Sequence, residues 1–515
     1  MACPVAHIII EELLPYIMVA VLTPILLTGY CCYRCCRKRR VKKPVMPSPF
    51  QLPILGCLPF LSREEGTHVT FSRWATKYGG LFACRLAQTK CVVISDAKLV
   101  REALASNAVV GRPNLHLFNL ARKPEEPESK GIIMNEGESW RQQRRFALHT
   151  FRNFGIGKTS FEDVIAVECD RLAECITINS RTGPFDARML LNSAVANVIS
   201  TVLFGPDVQH SDADLARFVD HVTNMAQELG GSALMNFFPF LRHLPPFRAI
   251  YARIYSGMLF NFGVLRALVE QEKRQFNEEN IRSYTAAFLA RQRSEEDGRL
   301  FTDHHLVMSL SDIFSAGFET TATSLRWALL YICLDEKLQQ TLQEEVDHVA
   351  QDGRPIRLAD REKLPWVEAT LLEVQRIASI APLSMPHAVT EDVELGGYVL
   401  EKGTVVFPNL YHVHHDPKNF PEPEKFKPAR FLDESQTKVA GTENLMPFSA
   451  GKRICPGESL ARMELFLFFT MLLQRFNFEL PKGSSVDVRP RCGLTNDTRP
   501  YELTAILRGK NCAGR

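Results

Sequence analysis

The chain has 515 residues and a mass of 58.3 kDa, more than one ordinary core requires, so length alone predicts about three domains at roughly 150 residues each. Hydrophobic residues at 45% and charged residues at 23% exclude a disordered tail, a collagen-like fibre and a multi-span membrane protein. The net charge of +3 conceals a local excess: residues 34–43 (RCCRKRRVKK) hold seven cations and no anion, and removing them leaves the remainder at −4. A slightly acidic body with one basic belt is not a general nucleic-acid binder.

In chain order, the belt follows an uncharged run of 21 residues, Leu13 to Tyr33, with no Lys or Arg before it. At 1.5 Å per residue this run spans about 31 Å, the thickness of a bilayer core. A cleaved signal peptide carries its cations ahead of a shorter apolar stretch, the reverse of this order. Residues 1–33 are therefore predicted as a short lumenal amino terminus followed by a single transmembrane anchor. The cations behind it place the rest of the chain on the cytoplasmic side. Fourteen cysteines scattered without paired spacing agree with a reducing compartment. The cluster Cys31, Cys32, Cys35 and Cys36 is equally open to S-acylation and to remaining as free thiols.

Residues 44–59 contain five prolines and read as a stiff connector. Helical periodicity then predicts helices at 66–78, 97–106, 138–149, 161–179, 187–204, 214–229, 248–275, 303–334, 336–350, 366–379 and 458–475. Strand-like runs fall at 81–86, 91–94, 393–400, 404–407, 476–480 and 501–508, and the charged loop 122–130 is predicted exposed. The fold class is mainly α with small β-sheets, without the strand–helix alternation of a doubly wound fold.

The chemistry concentrates at Phe448–Gly457, FSAGKRICPG. Cys455 follows a glycine-bearing turn and precedes a helix. Peptide N–H groups at a helix start stabilise a thiolate and lower its pKa. Gly451 and Gly457 are expected to leave room for a flat group, and Arg453 adds a cation. A buried thiolate in such a loop suits a soft metal such as haem iron. A packed structural cysteine is the ordinary alternative. Yet the spacing Phe-x-x-Gly-x-Arg-x-Cys-x-Gly arises by chance on the order of once in several thousand chains of this length. The segment resembles the haem-binding loop of the cytochrome P450 family of haem-thiolate monooxygenases.

The resemblance continues through the body. Residues 312–321 (DIFSAGFETT) carry an acid beside a threonine in an apolar helix, and a buried acid is costly without a purpose. Threonine back-bonding can also open a helical bulge there. Either pair member alone reads as a satisfied core group. By resemblance, Thr320 and Glu319 lie over the haem and deliver protons during oxygen activation, while Ala316 and Gly317 leave space for oxygen and substrate. Glu373 and Arg376 share a helix face, although Glu138–Arg141 and Glu296–Arg299 have the same spacing. By resemblance, their order ahead of FKPARF matches the family's paired elements, which implies a structural charge triad of Glu373, Arg376 and Arg430. Trp140 and Arg144, with His387, Arg453 and Arg112, correspond to the family's contacts to the haem propionates. Phe118, Phe238, Ala316, Leu383 and Leu494 fall in regions that line its substrate pocket.

RRFALHTFRNFGIGK, VANVISTVLFG and GKRICPGESLARMELFLFF resemble the animal microsomal branch called family two, although the connector reads Pro-Ser-Pro rather than Pro-Pro-Gly-Pro. The resemblance implies residues 60–515 as one haem-binding catalytic unit in the endoplasmic reticulum membrane, facing the cytoplasm. It also implies haem b as cofactor and electrons from NADPH through cytochrome P450 reductase, with cytochrome b5 as a further donor. One atom of O2 is inserted into a lipophilic substrate, such as a fatty acid, steroid or xenobiotic. Arg141, Arg145, Lys452 and Arg462 are either a docking face for the reductase or ordinary solvated surface. The competing functions are a haem-thiolate lipid peroxide isomerase or dehydratase, and a non-enzymatic membrane haem sensor. The sensor gives no reason for Glu319–Thr320.

Overall fold

A computed structural model describes residues 44–62, 64–120, 131–206, 212–231, 234–294, 298–351 and 353–509. The predicted anchor, the basic belt and the loop 122–130 lie outside these residues. Among the described residues no helix is long and apolar enough to cross a membrane.

The helices are α1 (Thr67–Tyr78), α2 (Ala97–Ala105), α3 (Gly137–Asn153), α4 (Glu162–Ser180), α5 (Arg188–Phe204), α6 (Asp212–Gly231), α7 (Leu234–Phe237) and α8 (Phe247–Gln275). They continue with α9 (Tyr284–Ser294), α10 (Asp303–Leu334), α11 (Glu336–Val349), α12 (Pro365–Ala378), α13 (Leu410–His415) and α14 (Glu458–Arg475). The strands are β1 (Leu81–Leu86), β2 (Thr89–Ile94), β3 (His387–Ala388), β4 (Val393–Leu395), β5 (Tyr398–Leu400), β6 (Val405–Pro408), β7 (Phe476–Glu479), β8 (Arg491–Cys492), β9 (Asn496–Asp497) and β10 (Thr504–Leu507). All eleven predicted helices are present, and the protein is mainly α with small sheets. The predicted strand 393–400 is a hairpin, because Gly396 (φ 56°) and Gly397 (φ 80°) turn it over. Three helices escaped the periodicity. α7 and α13 are too short to show it, and α9 buries the adjacent residues Tyr284, Thr285 and Ala286 instead of one clean stripe.

Helix α10 is the axis of the fold. At 32 residues it runs about 48 Å, and it packs against α5, α8, α12 and α14. Thr302 caps its start by accepting from His305 N. Apolar residues on nearly every side, including Phe314, Phe318, Leu325 and Trp327, are buried in one continuous core. α14 is buried almost as completely, from Leu460 to Leu473. A helix apolar all round must be enclosed by others, which is why both occupy the centre.

Beside this helical body lies a four-stranded sheet in the order β1-β2-β6-β3, with β2 and β6 parallel. Strand alternation divides its two faces. Cys91 and Val93 pack with Phe71 and Ala75 of α1, whereas Val92 and Ile94 pack with Val100 and Leu104 of α2. The proline-rich connector docks on this sheet rather than standing free: Ala83 N donates to Pro47 O, and Cys57 N to Arg85 O. Strand β3 at the sheet edge carries His387, whose ring bonds Val109 O in the turn beyond α2.

Candidate active site

Residues Gly451–Arg453 form a single 3-10 turn, after which Cys455 N donates to Phe448 O at 3.1 Å and α14 begins beyond Gly457. The two glycines serve different ends. A Cβ on Gly451, at φ 68°, would lie 2.1 Å from Leu104 O, so this glycine allows α2 to approach. A Cβ on Gly457 would meet nothing nearer than Cys455 Sγ at 3.9 Å. The room expected of both belongs to Gly457 alone. Cys455 departs from expectation too. The Gly457 and Glu458 amides and Arg144 do favour its thiolate, but burial outweighs them and pushes the thiol above its usual range. A bound cation reverses that balance, because a coordinating thiol gives up its proton.

A cluster of donors surrounds this loop. Arg144 Nη2 donates to Ile454 O at 2.5 Å, beside the cysteine. Arg453 donates through Nε and Nη2 to Val110 O and through Nη2 to Asn135 O, with its guanidinium 3.6 Å above the Trp140 ring. Its Nη1 and Trp140 Nε1 are both buried without a partner. Arg112 reaches the carbonyls of Ile133, Met385 and Pro386. Burial and the neighbouring Arg112 and Arg144 push Arg453 down to about 8, and burial with Arg144 pushes Arg112 down to about 10. Crowded cations with unmet donors call for an anion. The two carboxylates of a haem fit that requirement, and Cys455 fits the metal. His387 Nδ1 donates to Val109 O at 2.7 Å, and burial pushes the ring down to about 3. It is a neutral ring here and donates from Nε2 only after gaining a proton.

On the central helix, α10 is regular through the expected bulge, so no π turn forms. Thr320 Oγ1 donates back to Ala316 O at 2.8 Å. Ala316 is exposed although it sits midway along a buried helix, so it faces open space. Gly317 does not: a Cβ there would come within 2.8 Å of Ile199 Cδ1, so it lets α5 and α10 close together. Glu319 is 5% exposed and accepts from Thr495 Oγ1 at 2.8 Å, with burial pushing it up to about 7.

Glu373, Arg376 and Arg430 meet. Arg376 binds Glu373 bidentately at 2.7 and 2.9 Å, and Arg430 Nε joins at 3.0 Å. The Glu373–Arg376 pair is wholly buried. Arg376 Nη1 also donates to His414 O, and His414 Nε2 accepts from Met446 N, two residues before Phe448. His414, a link between triad and loop, carries no local sequence signal. Among the suggested pocket residues, Leu383 packs with Phe237 against one cluster. The turn bearing Phe118 is tied to α7, just before Phe238, by Leu117 N donating to Asn236 Oδ1. Leu494 is 37% exposed and adjoins the Thr495 that binds Glu319. On the outer side, Trp140, Arg141, Arg144, Arg145 and Lys452 line a concavity of about 450 Å³. Arg462 pairs with Glu458 instead.

A mostly helical body with small sheets, a cysteine loop ringed by cations and an acid–threonine pair on the central helix together define a haem-dependent oxidoreductase. The chain matches the family described as Cytochrome P450 over residues 46–505. It is 36% identical over 484 residues to Cytochrome P450 2J2 of Homo sapiens, covering 91% of this chain and 92% of the relative. It is 37% identical over 488 residues to Cytochrome P450 2D4 of Rattus norvegicus (92% and 95% covered). Against Cytochrome P450 2H2 of Gallus gallus it is 36% identical over 479 residues (91% and 94%). The chain belongs to the cytochrome P450 family and is a monooxygenase.

Proposed function

We propose that this protein inserts one atom of O2 into a lipophilic substrate, a fatty acid, steroid or xenobiotic, with residues 60–515 acting as one haem-binding unit. The observation that carries this reading is the unpartnered pair, Arg453 Nη1 and Trp140 Nε1, beside the Cys455 loop. Cys455 would ligate the iron, with Arg453, Trp140, Arg144, Arg112 and protonated His387 holding the propionates. Bound haem supplies the activation and insertion of oxygen. Reducing the second oxygen atom to water consumes two protons. Glu319, near its own pKa at neutral pH, both takes and gives a proton. Thr320 presents a hydroxyl one residue away, free to donate once it releases Ala316 O. Glu373, Arg376 and Arg430 hold the loop through His414.

Residues 13–33 would anchor the chain in the endoplasmic reticulum membrane with the catalytic part facing the cytoplasm. Electrons would come from NADPH through cytochrome P450 reductase, with cytochrome b5 assisting. The basic concavity of Arg141, Arg145 and Lys452 suits an acidic donor surface.

Screening lipids by the haem spectral shift they induce, then following oxygenation with NADPH and reductase, tests this reading. Turnover that requires both supports it. Conversion of lipid hydroperoxides alone, without NADPH or reductase, contradicts it. Replacing Thr320 with Ala is expected to uncouple NADPH use from product formation at least about tenfold.

A further inference from the structure

Glu319 and Arg326 stand seven residues apart on α10, hence on one face, and the segment Thr495–Thr498 covers that face. Thr495 Oγ1 donates to Glu319 Oε1 at 2.8 Å. The rest of the segment is fixed independently. Asp497 accepts from Arg326 Nη1 at 2.5 Å and from Arg188 Nη2 at 3.0 Å, Trp327 Nε1 donates to Asn496 O, and Asn496 N donates to Ile380 O. Tyr501 OH closes the region by donating to Arg326 O at 2.6 Å. Arg326 and Asp497 are 2% and 1% exposed, so this is a buried ion pair that holds only with all its partners in place. Its outer end reaches solvent at Asp186, whose Oδ1 accepts from Arg188 N.

No other hydrogen bond to the Glu319 carboxylate is recorded among the described residues. The charged groups acting on it are Asp497, which disfavours its ionisation, and Arg188 and Arg326, which favour it. Glu464 of α14 lies on the far side, bonded to Thr321. A carboxylate on a long side chain has several rotamers open to it unless something holds one. Here the holder is a hydroxyl from a segment 176 residues away in sequence, fixed by an ion pair that has no other evident task.

We propose that Thr495 is the positioning residue for Glu319, fixing the orientation from which the acid serves Thr320, while Arg326, Asp497 and Arg188 hold Thr495 in place. The proposal rests on the reading of Glu319 as the acid of the reaction. Thr495 is proposed to act through Glu319, the group its hydroxyl binds. As a donor to the ionised form it also lowers the proton affinity of the acid.

The test uses the full-length holoenzyme and two probes. The first is infrared spectroscopy: the carboxyl band lost in Glu319→Gln reports the acid. In Thr495→Val and Thr495→Ala its titration midpoint is expected to rise by about one pH unit, and Thr495→Ser is expected to restore it. The second is cumene hydroperoxide, which gives 2-phenyl-2-propanol by two-electron cleavage and acetophenone by one-electron cleavage. Loss of the Thr495 hydroxyl is expected to shift the products several-fold toward acetophenone, again rescued by Thr495→Ser. In a Glu319→Gln background, loss of Thr495 should add nothing. An unmoved midpoint with an unmoved product ratio overturns the proposal, as does an equal shift in the Glu319→Gln background. If Glu319→Gln itself leaves the ratio unchanged, the acid reading falls with it. If Glu319→Gln moves the ratio and the Thr495 variants do not, only the positioning role falls.

Discussion

The guanidinium of Arg453 lies 3.6 Å over the indole of Trp140, and each group keeps one buried N–H without an acceptor. The stacking explains why this cation tolerates so apolar a place, since a guanidinium is weakly hydrated and planar. The unmet donors explain what the place is for: a buried N–H without a partner costs about 1–3 kcal/mol, recovered when an anion arrives.

Removing these donors should therefore weaken haem retention before it weakens the fold. Arg453→Met is predicted to lower haem affinity at least about tenfold, and Trp140→Phe, which keeps the ring and loses only Nε1, by a few-fold. Arg453→Lys should recover only part of the loss, because an ammonium keeps the charge without the planar fork. Transfer of haem to a scavenging globin measures all three.

The triad behaves in the opposite way. Glu373 accepts from both arginines and from Lys427 N, so losing it strands two buried cations at once. Glu373→Ala is predicted to cost about 3–5 kcal/mol and to leave little haem-loaded protein. Thermal unfolding beside wild type checks this. An unchanged midpoint would remove the structural role.

Glu319 gives stability a pH dependence of known sign. Its folded pKa is raised from 4.5 to about 7 by burial, so between those values the native state holds the proton more tightly than the unfolded chain does. Its contribution therefore falls as pH rises, and the loss is complete above about 7. Two and a half units correspond to about 3 kcal/mol. Glu319→Gln should gain on wild type from pH 5 to about pH 7 and level off beyond it in denaturant titrations. A constant difference would mean that the acid is not buried as described.

What the sequence reveals and conceals follows from range. Helices declare themselves through contacts three and four residues apart, and all eleven predicted stretches form. The Cys455 loop is legible because its spacing is compact, and Glu373–Arg430 because both ends lie in distinct motifs. Thr495 and His414 are not legible, since each acts across a gap that only the folded chain closes. Glycines mislead for a related reason. Gly317 and Gly451 sit where space is wanted, yet each is filled by a neighbouring helix, Ile199 on α5 and Leu104 on α2. The helix start beside Cys455 does favour thiolate, but the cost of burial is a property of the whole fold.

The central claim is that Cys455 is the thiolate ligand of a haem, and the spectrum of the reduced protein with carbon monoxide addresses it most directly. The wild-type protein is predicted to show the thiolate-type Soret band from which the family takes its name, and Cys455→His to lose it while Arg453→Lys keeps it. Retention of that band in Cys455→His would contradict the assignment.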